Sequence, residues 1–161
     1  MALVNLSINP FVSSFVTFHS KQTAARTRLQ INMTIPHLNL VLAWSWILLG
    51  FISGMILGLN FHREDWLGGY GSFARRLCRL GHISFFGLGT VNLFFYLTAR
   101  TLPALGTLGL ASSWAFILGA VAMPICCFVT AFKPEFRSLF AIPVVSLITG
   151  GSLFLWELIK L

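Results

Sequence analysis

Two histidines are the residues of this chain whose types and positions suggest chemistry. His62 follows the first apolar segment and His82 begins the second, so both belong to the same end of the two segments. Imidazoles on facing helices are common ligands of a transmembrane b-type haem. A haem b held by His82 and His62 is therefore one hypothesis, although both residues would lie near the membrane surface. The alternative is a structural His82, hydrogen-bonded to a neighbouring backbone carbonyl, to Glu64 or to Asp65.

The remaining reactive residues lack the spacing of a known site. Cys78, Cys126 and Cys127 form no C-x-x-C pair, no haem-attachment motif and no metal-binding pattern. The sequence contains no motif of a metalloprotease, a serine hydrolase or a phosphate-binding loop. Asn92 and Thr90 are the main buried polar residues in the apolar segments, and they either bind a substrate or form hydrogen bonds between helices. No catalytic residue and no metal site are predicted, and no cofactor is predicted apart from the haem hypothesis.

Composition decides where these residues must lie. Of 161 residues, 57% are hydrophobic and 9% are charged, whereas soluble domains carry about 25% charged residues. Uncharged apolar runs of roughly 20 residues cross a membrane as helices. The sequence therefore predicts an all-α membrane protein with four transmembrane helices in a bundle. The predicted spans are 38–61, 79–99, 108–132 and 138–157.

A glycine stripe in the first span predicts close helix packing. Gly50, Gly54 and Gly58 recur every four residues, which places them on one face of a helix. The second span offers small residues for this contact, of which Gly87 is named as the packing residue: Gly81, Ser84, Gly87 and Gly89. The partner of the stripe is the second span, a second copy of the chain, or another subunit.

The 62–79 loop is the most polar stretch and predicts a structured segment at the membrane surface. Its glycines permit tight turns around Tyr70, and Ser72 is placed to cap a short amphipathic basic helix that leads into the second span. The basic residues either anchor the loop on anionic lipid headgroups or form a docking surface for a partner or a lipid such as cardiolipin. The predicted docking residues are Arg63, Arg75, Arg76, Arg79, Trp66 and Tyr70.

The N-terminal segment 1–36 is polar and basic and differs in composition from the transmembrane domain 37–161. It contains three bases and no acid: Lys21, Arg26 and Arg28. It is interpreted as a targeting peptide, as an interfacial arm, or as residues upstream of a true start at Met33. Positive charge near the span ends favours the loops 62–79 and 133–137 on the cytoplasmic side of a bacterial or organelle membrane. This preference weakens if residues 1–32 belong to the chain.

Together these patterns predict a non-catalytic accessory subunit or assembly factor of a larger membrane complex. The expected partners are the lipid bilayer, anionic headgroups, and other membrane subunits or further copies of the chain. A redox protein that uses His82 with His62 and a small oligomeric transporter remain alternatives. The basic residues are dispersed over short connecting segments, so nucleic acid is not an expected partner.

Overall fold

The structure is a computed structural model that describes the backbone of residues 10–160. Within that range it describes the side chains of residues 17–23, 27 and 36–160. The described residues form helices and turns and contain no strand. In chain order the elements are α1 (Pro10–Leu59), a 3₁₀ turn (Trp66–Gly68), α2 (Phe73–Thr101), α3 (Thr107–Phe132), a second 3₁₀ turn (Pro134–Phe140) and α4 (Ala141–Ile159).

Within residues 10–160, four helical segments are long and apolar enough to cross a membrane, as the sequence predicted. Their mean hydropathies lie between 1.4 and 2.3. The segments are Pro36–Leu59, Phe73–Thr101, Thr107–Phe132 and Pro134–Ile159. The chain therefore has the architecture of a multi-pass membrane protein.

Helix boundaries differ from the predicted spans at three places. α1 begins at Pro10, whereas the first predicted span begins at residue 38. The predicted short basic helix is not a separate element, because residues 73–79 are the first turns of α2. The Ser72 side chain caps this continuous helix by accepting a hydrogen bond from the backbone N–H of Arg75 at 3.1 Å. The fourth span begins with the 3₁₀ turn from Pro134, and α4 itself starts only at Ala141.

The chain divides into two compact units, Met1–Thr34 and Ile35–Leu161. In the first unit, the Thr23 and Thr27 hydroxyls each donate a hydrogen bond of 2.9 Å to the carbonyl one turn earlier. The side chains of Arg26, Arg28 and Met33 lie outside the described residues. The roles predicted for the N-terminal segment stay predictions.

In the second unit, α3 is the central helix and packs against both α2 and α4. Phe95 of α2 is buried, and its ring centroid lies 5.5 Å from that of Phe116 and 4.7 Å from that of Phe154. Small residues let α3 and α4 approach closely. A Cβ added at Gly119 would lie 2.6 Å from the Leu147 side chain, and one at Gly150 would lie 3.1 Å from Ala115. Aromatic stacking and close backbone approach thus join three of the spans.

Candidate functional site

The contact between α1 and α2 uses part of the predicted glycine stripe. A Cβ at Gly50 would lie 2.8 Å from the Phe86 ring, and a Cβ at Gly54 would lie 2.8 Å from His82 Cε1. Gly58 and Gly87 have no such neighbour within 4 Å. On α2 it is Gly89 that makes the close approach, with its Cβ position 3.1 Å from the carbonyl oxygen of Ala43. The stripe therefore divides into two inward glycines and one outward glycine.

His82 lies against this inward part of the stripe, and its partner is a serine of α1. His82 Nδ1 and Ser53 Oγ are 3.0 Å apart, and the Ser53 hydroxyl is also 3.0 Å from the carbonyl oxygen of Gly50. When the hydroxyl donates to that carbonyl, Nδ1 must be the protonated nitrogen, which leaves Nε2 as an acceptor. The Phe86 ring meets the imidazole edge to face at 5.4 Å. The predicted contact with Glu64 or Asp65 is replaced by this bond to Ser53.

His62 is an exposed residue of the loop after α1. No hydrogen bond or ring contact joins His62 to His82 among residues 36–160. The described residues also contain no group of three or more histidine, cysteine or acidic side chains that could hold a metal ion. The haem hypothesis for this pair of histidines stays a prediction.

Arg75 organises the loop between α1 and α2 from the inside. Its side chain donates hydrogen bonds to two backbone carbonyls, that of Arg63 at 3.3 Å and that of Phe61 at 3.1 Å. Its guanidinium carbon also lies 5.7, 5.7 and 5.2 Å from the ring centroids of Phe61, Trp66 and Tyr70. These contacts leave Arg75 only 3% exposed. Arg75 is thus a structural centre of the loop, and the docking role predicted for it stays a prediction.

The other predicted docking residues are more accessible. The Arg79 guanidinium already has a partner within the chain: it donates a hydrogen bond to the Tyr70 carbonyl at 3.0 Å and stacks over the Tyr70 ring at 4.7 Å. Arg63 and Arg76 are exposed, as is Tyr70, whereas Trp66 is half-buried. Arg63 and Arg76 are thus the accessible basic members of the predicted docking residues, and the docking role itself stays a prediction.

The backbone of the loop is shaped by residues in the left-handed region. Leu67 has φ 55°, and it is followed by Gly68 at φ 81° and Gly69 at φ 96°. Glycine adopts these angles without a steric penalty, whereas the Leu67 backbone is unusual for a branched residue. The Ser72 hydroxyl donates to the Leu67 carbonyl at 2.6 Å, which fixes the turn against the start of α2. The predicted structured loop is present, and a serine and an arginine hold it.

A buried polar cluster joins α1, α2 and α3 within the spans. The Asn39 amide donates to Asn92 Oδ1 at 2.8 Å, and the Ser113 hydroxyl donates to Asn39 Oδ1. The Asn92 amide in turn donates to the Leu88 carbonyl at 2.9 Å. Asn39, Asn92 and Ser113 are each 0% exposed. Sequence reasoning identified Asn92 as an interhelical polar residue but missed Asn39 and Ser113, and it also named Thr90, which is exposed.

An acidic residue of α4 makes a further polar contact at the N-terminal end of α3. Glu157 of α4 accepts a hydrogen bond of 2.7 Å from the backbone N–H of Gly106, the residue that caps the N-terminus of α3. A carboxylate at this place satisfies an N–H group that has no partner within the helix and interacts favourably with the helix dipole. The contact ties the last turns of α4 to the first turn of α3. Sequence reasoning placed Glu157 only at the boundary of the last span.

Two cavities lie toward the end of the spans that carries the 62–79 loop. The smaller one, of about 250 Å³, is lined by Ser53, Cys78 and apolar side chains of α1, α3 and the loop. The larger one, of about 500 Å³, has Thr130 and Arg137 in its wall. Thr130 is 1% exposed and its hydroxyl has no hydrogen-bond partner.

The polar side chains of the spans are thus engaged mainly in contacts within the chain: serine with histidine, two asparagines with serine, and glutamate with a helix N-terminus. Such contacts fix the register of helices in an apolar environment. Comparison with protein-family models, with curated proteins and with solved structures found no match to this chain.

Proposed function

We propose that this chain is a non-catalytic subunit of a larger membrane complex, either an accessory subunit or an assembly factor, and that α1 binds its neighbour. The observation that carries the proposal is the outward exposure of the first span. In its most apolar window 11% of the residues are buried within the chain, compared with 44% for α3. A second subunit would cover the part of α1 that the other three spans leave open.

The exposed surface of α1 is large and rich in aromatic and flexible apolar residues. Such side chains supply much of the binding energy in protein interfaces. Those that are exposed on the span include Trp44, Leu48, Phe51, Met55 and Leu59. Lipid tails can also solvate this surface, so the area alone does not decide between lipid and protein.

Gly58 favours protein as the neighbour. It faces open space within the chain, so its lack of a side chain brings no packing benefit there. A glycine inside a helix costs about 1 kcal/mol relative to alanine. An approaching helix would use this position, because small residues permit the close backbone contact on which association in lipid depends.

The polar side chains form hydrogen bonds within the chain, which agrees with a structural role for this protein. Asn39 donates a hydrogen bond to Asn92, Ser53 contacts His82, and Arg75 holds its own loop. Each of these contacts stabilises one arrangement of the helices. A subunit that presents a fixed α1 surface to a partner requires this kind of rigidity.

The test measures the mass of the native assembly after a larger side chain replaces the outward-facing Gly58. The chain is expressed at native level, extracted in mild detergent and examined by native gel and by mass spectrometry of the comigrating proteins. Gly58→Leu should release it from the assembly. Gly151→Leu is the matched control, because Gly151 of α4 also has no neighbour within 4 Å.

Retention of the Gly58→Leu chain in an assembly of unchanged mass would argue against α1 as the binding surface. A wild-type chain that migrates alone would overturn the proposal as a whole. An absorption spectrum of the same sample tests the haem hypothesis, which predicts a Soret band that His82→Ala removes.

A further inference from the structure

The larger cavity lies between the start of α2, the end of α3 and the 3₁₀ turn that precedes α4. Its volume of about 500 Å³ falls within the range of ligand-binding pockets, roughly 300–1,000 Å³. Four of its lining residues are apolar and two carry polar groups. The lining residues are Phe73, Leu77, Thr130, Pro134, Arg137 and Phe140.

The cavity is surrounded by positive charge. Arg137 lines it and is exposed, and no carboxylate of residues 36–160 forms an ion pair with its guanidinium. Lys133 is exposed just before the 3₁₀ turn. Arg76 is exposed three residues after Phe73, so it is a neighbour of that lining residue on α2. Glu135 is the one acid of the 3₁₀ turn, and three bases therefore outnumber it around the cavity.

Thr130 supplies a polar group in the wall of the same cavity. A threonine inside a helix usually donates its hydroxyl proton to the carbonyl one turn earlier. The Thr130 hydroxyl has no partner of this kind, and the residue is 1% exposed. A buried hydroxyl without a partner is unfavourable, and a rotation of the Thr130 side chain that turns the buried hydroxyl toward the cavity would let a ligand oxygen satisfy it.

We propose that this cavity binds an anionic phospholipid. The phosphate lies at the Arg137 guanidinium, and an acyl chain packs against Phe73, Leu77 and Phe140. The Thr130 hydroxyl donates a hydrogen bond to an oxygen of the headgroup or its ester linkage. A free phosphate ion would use the arginine but would gain nothing from the apolar walls.

This inference goes beyond the proposed function and is independent of it. The cavity lies on α2, α3 and the 3₁₀ turn, whereas the proposed partner surface lies on α1. Lipid binding is measured on the purified chain, so the loss of one property leaves the other measurable.

The experiment titrates the purified protein, in an uncharged detergent, with dioleoylphosphatidylglycerol and measures both the dissociation constant and the rise in Tm. Dioleoylphosphatidylcholine and inorganic phosphate are titrated in parallel. Arg137→Gln should weaken binding of the anionic lipid by about tenfold or more, which is the loss of one charge-assisted hydrogen bond. Arg100→Gln is the matched control, because it removes an exposed cation at the other end of α2 that does not line the cavity.

Thr130→Val distinguishes a ligand-binding hydroxyl from a purely structural one. Removing an unpartnered buried hydroxyl should raise the Tm of the lipid-free protein, while the affinity for the anionic lipid should fall. If the Thr130→Val protein binds the anionic lipid as tightly as the wild type, the Thr130 hydroxyl does not contact the lipid.

The site itself is overturned by three results. Any one of them is sufficient: equal losses of affinity in Arg137→Gln and Arg100→Gln, equally tight binding of the phosphatidylcholine, or binding of inorganic phosphate as tight as that of the anionic lipid. The last result would identify a free anion as the ligand.

Discussion

Asn39 of α1 and Asn92 of α2 are joined by a 2.8 Å hydrogen bond, and both side chains are completely buried. The Asn39 side-chain oxygen in turn accepts a hydrogen bond from the Ser113 hydroxyl of α3. One side chain is thus bonded to two neighbouring helices. In an apolar environment an unpaired amide is unfavourable, so this cluster selects the relative positions of three helices.

Asn92→Ala should therefore destabilise the protein. The substitution leaves the Asn39 amide without its partner on α2, and a buried unsatisfied group costs about 1–3 kcal/mol. Thermal unfolding in detergent measures the change. Thr90→Ala is the control, since Thr90 is exposed on the same helix and its removal should change stability by less than about 0.5 kcal/mol. Equal effects of the two substitutions would contradict the assigned role of the cluster.

Glu157 should act as a helix cap supplied by another helix. Glu157→Ala removes the acceptor for the Gly106 N–H and should cost about 0.5–2 kcal/mol, as the loss of a side-chain cap does. Glu157→Gln keeps an acceptor oxygen and should cost less, because only the charge is lost. Exposed Glu135 provides the control as Glu135→Ala. If glutamine is no better than alanine in the Tm measurement, the hydrogen bond is not the source of the stability.

Arg75 should be intolerant of lysine even though the charge is retained. Lysine lacks the planar group that reaches two carbonyls and stacks against three rings. Arg75→Lys should lower stability by about 1–3 kcal/mol, which is the cost of unmaking buried hydrogen bonds. Limited proteolysis should cleave the loop at residues 60–72 faster in this variant.

The matched substitution for Arg75→Lys is Arg76→Lys, at the exposed neighbouring position. Its loop should be cleaved at the wild-type rate. Similar cleavage of both variants and the wild type would mean that the loop does not depend on the Arg75 contacts.

The inward and outward glycines of α1 should respond oppositely to alanine. Gly54→Ala places a Cβ 2.8 Å from His82 Cε1, so the imidazole and its bond to Ser53 must shift, at a cost of about 1–3 kcal/mol. Gly58→Ala meets nothing within the chain and gains helix propensity, so it should stabilise the monomer by up to about 1 kcal/mol. Unfolding of the purified monomer compares the two. Equal changes would show that Gly54 is not tightly packed against α2.

The four spans follow from the sequence because they depend on a local property. Runs of apolar residues between charged segments identify helices that can cross a membrane, and they did so here to within a few residues at most span ends. The cap at Ser72 was also visible, since a serine before a helical pattern accepts a backbone hydrogen bond wherever the rest of the chain lies. The helix-packing role predicted for the glycine stripe stays a prediction, although Cβ positions at Gly50 and Gly54 lie close to side chains of α2.

The roles of the polar residues were decided only by the tertiary structure. Three arginines at the start of α2 cannot be distinguished from the sequence. Packing buries Arg75, leaves Arg76 exposed and joins Arg79 to the Tyr70 carbonyl. Asn39 and Ser113 are 74 positions apart in the sequence, and no sequence pattern predicts the hydrogen bond between them. Which face of each helix turns inward depends on its neighbours, because hydropathy is nearly uniform around an apolar span. Sequence thus determined the helices that can cross the membrane, and packing determined which polar groups face each other.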